Sequence, residues 1–240
     1  MNIHEIGWVE TCYDEKFGVP RQSGVVGSAW GKISFHEDYQ SANFIRGLEG
    51  FSHLWLVFVF HQAVNQSSTG GKVKATVRPP RLGGNEKVGV FASRSPFRPN
   101  PIGLSLVKLE RIEASAKGSV LHVSGVDLVS GTPLLDIKPY IPYCDSVSKQ
   151  GGEIVQSGYV NGAPENLAVE WGDEVEVDPG LKQLITETIS VDPRPAYHND
   201  EREYGCLIAG VNVRWQVIGG LDSKADRADR VVKILSCARV

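Results

Sequence analysis

The sequence predicts a mainly β protein: an antiparallel β-barrel followed by a small C-terminal α+β domain. Three observations carry that expectation. Cβ-branched residues dominate the apolar set, with 29 Val and 14 Ile against 17 Leu and a single Met. Branching at Cβ crowds a helix and suits a pleated strand. Glycine is abundant, at 26 of 240 residues. Short apolar or alternating segments also recur between Gly and Pro punctuation, the pattern of a barrel or sandwich. A helical bundle, coiled coil or helical solenoid is excluded.

The elements follow in order. Residues 53–60 read as a strand apolar at both sets of alternating positions, hence buried on both faces. Residues 88–92, 104–112 and 120–129 also read as strands, with Lys108 and Glu110 marking a solvated face. The barrel is assigned to residues 1–150. Gly and Pro at 150–152 and 161–164 mark a joint, and residues 165–240 form the second domain. There, residues 175–177 read as a strand. Asp178 caps a helix that has Pro179 at its first position and Leu181, Leu184, Ile185, Thr188 and Ile189 on one face. A single long strand is expected over 207–217, with 231–235 pairing to it.

Global properties exclude more than they identify. A net charge of -3 argues against a uniformly basic nucleic-acid coat protein, without speaking to local patches. The longest apolar run, residues 54–60, is far short of the ~20 needed to span a membrane. The N-terminus lacks the basic and apolar regions of a signal peptide, so a cytoplasmic location is expected. The four cysteines are scattered and read as buried thiols. No GxGxxG or GxSxG is present, and the six His are not at metal-ligand spacing, so no metal is expected.

One stretch stands out. Residues 72–98 hold seven basic residues (Lys72, Lys74, Arg78, Arg81, Lys87, Arg94, Arg98) against the single acid Glu86. Prolines beside these arginines restrict the backbone, and the guanidinium fork suits carboxylate or phosphate. A basic face for an anionic partner follows. The run from Gly89 through Arg94-Ser95-Pro96-Phe97-Arg98-Pro99-Asn100-Pro101 to Ser105 resembles the TsaA/YaeB-like family, the TrmO-type tRNA methyltransferases. Lys16-Phe17-Gly18-Val19-Pro20-Arg21-Gln22, the segment 47–55 ending at His61-Gln62, Leu135-Asp136-Ile137-Lys138-Pro139-Tyr140 and Asp192-Pro193-Arg194-Pro195-Ala196-Tyr197 extend the likeness over nearly the whole chain. Ser130 and Asn212 stand where the family commonly has Asp.

The resemblance implies a non-Rossmann barrel that binds S-adenosyl-L-methionine (SAM), a homodimer, and methylation of N6 of N6-threonylcarbamoyladenosine at position 37, next to the anticodon of threonine tRNA. It implies cofactor contacts at Pro20, Arg21, Gln22, His61, Gln62, Arg94, Leu104 and the turn Gly131-Thr132-Pro133-Leu134. Methyl transfer to a delocalised nitrogen needs help with its proton. Asp136 and His61 are the candidate bases; Asp136 lies among Leu134, Leu135 and Ile137, where desolvation would raise its pKa. Lys138, two residues on, is a further catalytic candidate, or else simply the ion-pair partner of Asp136. For substrate and the tRNA anticodon arm, the candidates are Arg78, Arg81, Arg98, Tyr140 with Tyr143, and in the second domain Arg194 and Arg214 with His198 and Arg202. Two other readings stay open: a non-catalytic single-stranded RNA-binding barrel, and a SAM enzyme of the same fold with another acceptor.

Overall fold

The computed structural model describes residues 2–63, 75–115, 118–147, 157–160, 162–163, 165–195, 198, 200–219 and 230–240. Lys72, Lys74, Ala196, Tyr197 and most of the joint expected at 150–152 and 161–164 lie outside the described residues.

Six strands close into the barrel: β1 (Gly7–Thr11), β2 (Trp30–Phe35), β3 (His53–Val59), β6 (Ile102–Ser115), β7 (Gly118–Ser124) and β8 (Thr132–Pro139). Their order around the barrel is β1-β2-β7-β6-β3-β8, antiparallel throughout. Closure covers most strand edges, but residues 102–107 of β6 pair with β3 and not with β7. Two short strands, β4 (Thr76–Val77) and β5 (Val88–Gly89), form a separate ribbon. Single helical turns cover the ends, among them α1 (Pro142–Asp145).

In β3, Leu54, Leu56 and Phe58 fill the barrel while His53, Trp55, Val57 and Val59 are half-buried on the outside. The strand is thus one-faced, not buried on both faces as its composition implied. Gly103 on β6 has a packing reason: a Cβ there would lie 2.2 Å from the Phe58 ring. The expected strand 88–92 is only β5 followed by a 3-10 turn, and the expected strand 120–129 stops at Ser124.

The second unit has a four-stranded sheet, β9 (Ala168–Trp171), β10 (Tyr204–Ile208), β11 (Val211–Ile218) and β12 (Val231–Arg239), in the order β10-β11-β12-β9. Helix α2 (Pro179–Ser190) starts as its sequence predicts. The Asp178 side chain accepts from the Leu181 N–H at 3.0 Å, and Leu184, Ile185, Thr188 and Ile189 are buried. Residues 175–177 are irregular, not strand.

The single strand expected over 207–217 is a hairpin. Ala209 and Gly210 turn it with φ of 50° and 73°, the two left-handed residues of a tight two-residue turn. Ala is a weak signal for that conformation, which hid the turn in the sequence. The pairing of residues 231–235 with this element holds, in β12 against β11. Cys12 and Cys206 are buried and Cys237 is half-buried, but Cys144 is exposed, contrary to the uniform burial expected.

One apolar core runs from Val9, Ile33 and Leu121 of the barrel to Ile185, Trp215 and Ile234 of the second unit. The seam is the connection between β1 and β2. Tyr13 shares a buried hydroxyl pair with Thr188 at 3.1 Å, and the Ala209 N–H donates to the Cys12 carbonyl at 2.7 Å. Glu187 of α2 accepts from the Ser28 N–H and hydroxyl at 2.9 and 2.7 Å.

Candidate functional site

Antiparallel closure sorts the connections between two rims. Strands β1, β3 and β7 end at the rim where β2, β6 and β8 begin. The described parts of the connections 12–29, 60–101 and 125–131 therefore gather there, and with them come residues 20–22, 61–62, 94, 104 and 131–134.

Loop 12–29 is tied to four other segments. The Arg21 guanidinium donates to the Arg194 carbonyl at 3.1 Å. Gln22 accepts from the Arg94 guanidinium. The Ser23 hydroxyl accepts from the Leu106 N–H at 3.1 Å, and Gly24 N–H donates to the Gly125 carbonyl at 2.8 Å. Pro20 is buried. The Leu106 N–H faces loop 12–29, so by strand alternation the peptide groups of Leu104 face the same side. The Leu104 side chain is 57% exposed on the outer wall.

His61 and Gln62 open a helical turn just past β3. Lys16 reaches the Gln62 carbonyl at 3.5 Å. Burial, and then the Lys16 charge, push the His61 imidazole below its ordinary value. At neutral pH it is uncharged and can accept a proton. In the 131–134 turn, Gly131 takes a left-handed φ of 78° and donates to the Val9 carbonyl at 2.9 Å. Thr132 and Leu134 are buried and Pro133 is half-buried, so this turn presents backbone more than side chains.

Other expected residues lie elsewhere. Asp136 does not occupy the apolar setting inferred for it. Its side chain is 48% exposed and paired to Lys138 at 2.8 Å. It sits on the barrel wall opposite Val57, whereas His61 lies past the end of β3. The two candidate bases are therefore not neighbours. Tyr140 belongs to the opposite rim, where its ring meets His53 and Trp55 at 6.3 and 6.1 Å. Tyr143, in α1, is almost fully exposed.

The basic segment is partly spent on its own architecture. Arg98 holds the Ser93 carbonyl at 3.1 Å and Arg81 the Gly162 carbonyl at 2.9 Å, while Arg78 is exposed. Arg194 is not a surface cation. It is 5% exposed, pairs through two nitrogens with Asp192 at 2.7 and 2.9 Å, and lies 5.9 Å from the Tyr204 ring. Arg214 pairs with Glu203 at 2.6 Å, Arg202 with Asp200, and His198 bonds the Tyr204 hydroxyl at 2.8 Å.

The rim also holds residues that sequence reasoning missed. Phe91 and Phe97 flank Arg94, 80% and 47% exposed; their signal was the alternation of aromatics with arginines. Asp127 accepts from the Ser105 hydroxyl at 2.5 Å. Burial is the main cause that pushes its carboxyl up to about 6. Its signal was a carboxylate inside the apolar run Val126-Asp127-Leu128. Among the described residues, no three His, Cys, Asp or Glu side chains converge as a metal site, and no helix is long and apolar enough to cross a membrane.

Comparison with known proteins matches this architecture end to end. The tRNA-methyltransferase O N-terminal domain matches residues 8–146, and the TrmO C-terminal domain matches residues 164–223. The tRNA (adenine(37)-N6)-methyltransferase of Escherichia coli strain K12 is 44% identical over 229 residues, covering 90% of this chain and 93% of its own. A Pseudomonas aeruginosa protein named as an S-adenosylmethionine-dependent methyltransferase, RcsF, is 40% identical over 225 residues, covering 89% of this chain and 91% of its own. The crystal structure of TrmO from Pseudomonas aeruginosa superposes with a TM-score of 0.74 at 30% identity, covering 99% of this chain and 98% of that one. Both domains match in order, and the chain belongs to the tRNA-methyltransferase O family.

Proposed function

We propose that this protein is a SAM-dependent methyltransferase acting on N6 of adenine 37 of tRNA, and that the acceptor base already carries a threonylcarbamoyl group. The observation that carries the reading is the gathering of residues 20–22, 61–62, 94 and 131–134 at one rim of a family member that matches 93% of its Escherichia coli relative.

The donor set of that rim suits SAM. Lys16 and Arg94 offer cations for its carboxylate, and the β6 edge at Leu104 offers peptide groups for its adenine. Bound there, SAM supplies a methyl group activated by its sulfonium. The chain's own residues do the remainder, which is chiefly alignment of acceptor and donor. Neutral His61 takes the acceptor proton. Asp136, distant and ion-paired, is the less favoured base. The threonyl carboxylate meets Arg78 or the free donors of the Arg98 fork. Anticodon-arm bases stack on Phe91 and Phe97, and Arg81 and Arg214 face phosphate at the cost of exposed contacts only. The protein is a homodimer joined through the outer wall of β3 and β6, where Ile102 and Leu104 are 39% and 57% exposed. It works in the cytoplasm, where its tRNA substrate is.

The test is nucleoside mass spectrometry of tRNA from a strain lacking the protein. Loss of the methylated threonylcarbamoyl nucleoside, restored by a plasmid copy, is the expected result. Its persistence unchanged would overturn the reading.

A further inference from the structure

Ser105 lies on the inner face of β6 and is 1% exposed. A hydroxyl so placed needs a partner, and Asp127 provides it at 2.5 Å. The same carboxylate is favoured in its charged form by the backbone amide of Ser23 and by the charge of Arg94. Ser23 is itself fastened to β6 through the Leu106 N–H, and its neighbour Gly24 to Gly125. Three segments distant in sequence, namely β6, residues 20–24 and residues 125–128, thus meet at one carboxylate. The next residue outward from Ser23 is Gln22, which receives Arg94.

A carboxyl pushed up to about 6 by burial is one that the fold carries at a cost. Ionisable groups retained under such strain cluster at functional sites. An uncharged amide could satisfy Ser105 without that cost, so the charge needs a reason beyond packing.

We propose that Asp127 is a positioning residue for cofactor binding: clasped by Ser105, it fixes Ser23 and thereby the turn at residues 20–22 and the Arg94 side chain. The proposal rests on the reading of those residues as SAM contacts. Protonation removes an acceptor and the attraction for Arg94, so the clasp loosens as pH falls through about 6. Arg94 is the charged group that faces Asp127 from the 90–101 connection. Segment 20–24 and β6 present Ser23 and Ser105, which do not titrate in this range. His61, on the same rim, titrates below its ordinary value, so the contribution of Asp127 is the difference between wild-type and variant profiles.

The experiment is calorimetry of the full chain with SAM from about pH 5 to about pH 8, together with steady-state kinetics on tRNA, for wild type, Asp127→Asn and Ser105→Ala. Asp127→Asn should weaken SAM binding about tenfold at neutral pH and raise KM for SAM while kcat and the KM for tRNA stay near wild type. Its SAM affinity should lose the wild-type decline near pH 6. Ser105→Ala should lie between the two. Wild-type affinity and pH profile in folded Asp127→Asn would overturn the proposal, as would equal losses toward SAM and tRNA. If Asp127→Asn does not fold, unchanged SAM affinity in Ser105→Ala overturns it. A wild-type protein that binds no SAM would instead overturn the functional reading on which the proposal stands.

Discussion

At one rim of the barrel, polar ties join residues far apart in sequence: Gln22 to Arg94, Ser23 to Leu106, Arg21 to Arg194 and Ser105 to Asp127. At the other rim several ties are local, Ser41 to Asn43, Asn43 to Arg46 and Ser52 to His53, while Trp55 to Asp145 and Glu5 to His36 reach farther. Local ties shape a turn but leave its neighbours free. Long-range ties fix several loops against one another, which is what a preorganised binding site requires.

Substitutions on the two rims should therefore differ in kind as well as size. The largest effect is expected from Arg194→Ala, which strands the Asp192 carboxylate, itself 13% exposed. Breaking such a pair from one side costs about 3–5 kcal/mol. Denaturant unfolding should show it, and SAM affinity should fall as well, because the pair with Asp192 holds the segment whose backbone carbonyl at residue 194 receives Arg21. A stable variant with unchanged SAM affinity would break the comparison.

Next is the stability of Asp127→Asn. The folded carboxyl titrates near 6, above its ordinary 3.8. Wild type is therefore penalised as pH rises between those values, by at most about 3 kcal/mol. The Asn variant should unfold later than wild type at neutral pH, with the advantage fading toward pH ~4. Equal unfolding temperatures at neutral pH would refute the strain.

Third is His61→Ala, which should slow single-turnover methylation about a hundredfold, the lower range for loss of a general base. In wild type that step should hold down through the ordinary histidine range and fall only below it, because the folded His61 titrates low. A decline already complete at the ordinary value of 6.5 would remove His61 as the base. The smallest effect is expected from Arg46→Ala at the opposite rim. Stability should change by no more than about 0.5 kcal/mol, and SAM affinity should match wild type. A loss comparable to that of Asp127→Asn would erase the distinction between rims.

Features set by local chemistry were legible in the sequence. The capped helix α2 follows from Asp178, Pro179 and the spacing of four buried side chains, and the barrel follows from branched residues between Gly and Pro. What was hidden depends on register and closure. Arg194 reads as a free cation until the chain folds Asp192 and Tyr204 around it. Tyr140 reads as a stacking platform near the site until the direction of β8 carries it to the far rim. Asp136 reads as desolvated because its sequence neighbours are apolar, yet alternation and a register shift beside Val57 leave it on the wet side of the wall. Ser105 and Asp127 are 22 residues apart, and only the return of β7 across β6 brings them together.

The continuous core beneath the connection from β1 to β2 bears on how the molecule fails. Tyr13 and Cys12 are covered from the far side by Thr188 and Ala209, so the barrel has no finished surface of its own there. Heat should take both units apart in a single cooperative transition, with calorimetric and van 't Hoff enthalpies in agreement. In this protein, damage to the C-terminal sheet reaches the rim that carries residues 20–22 and Arg94 as lost folding free energy, with no conformational signal needed to carry it.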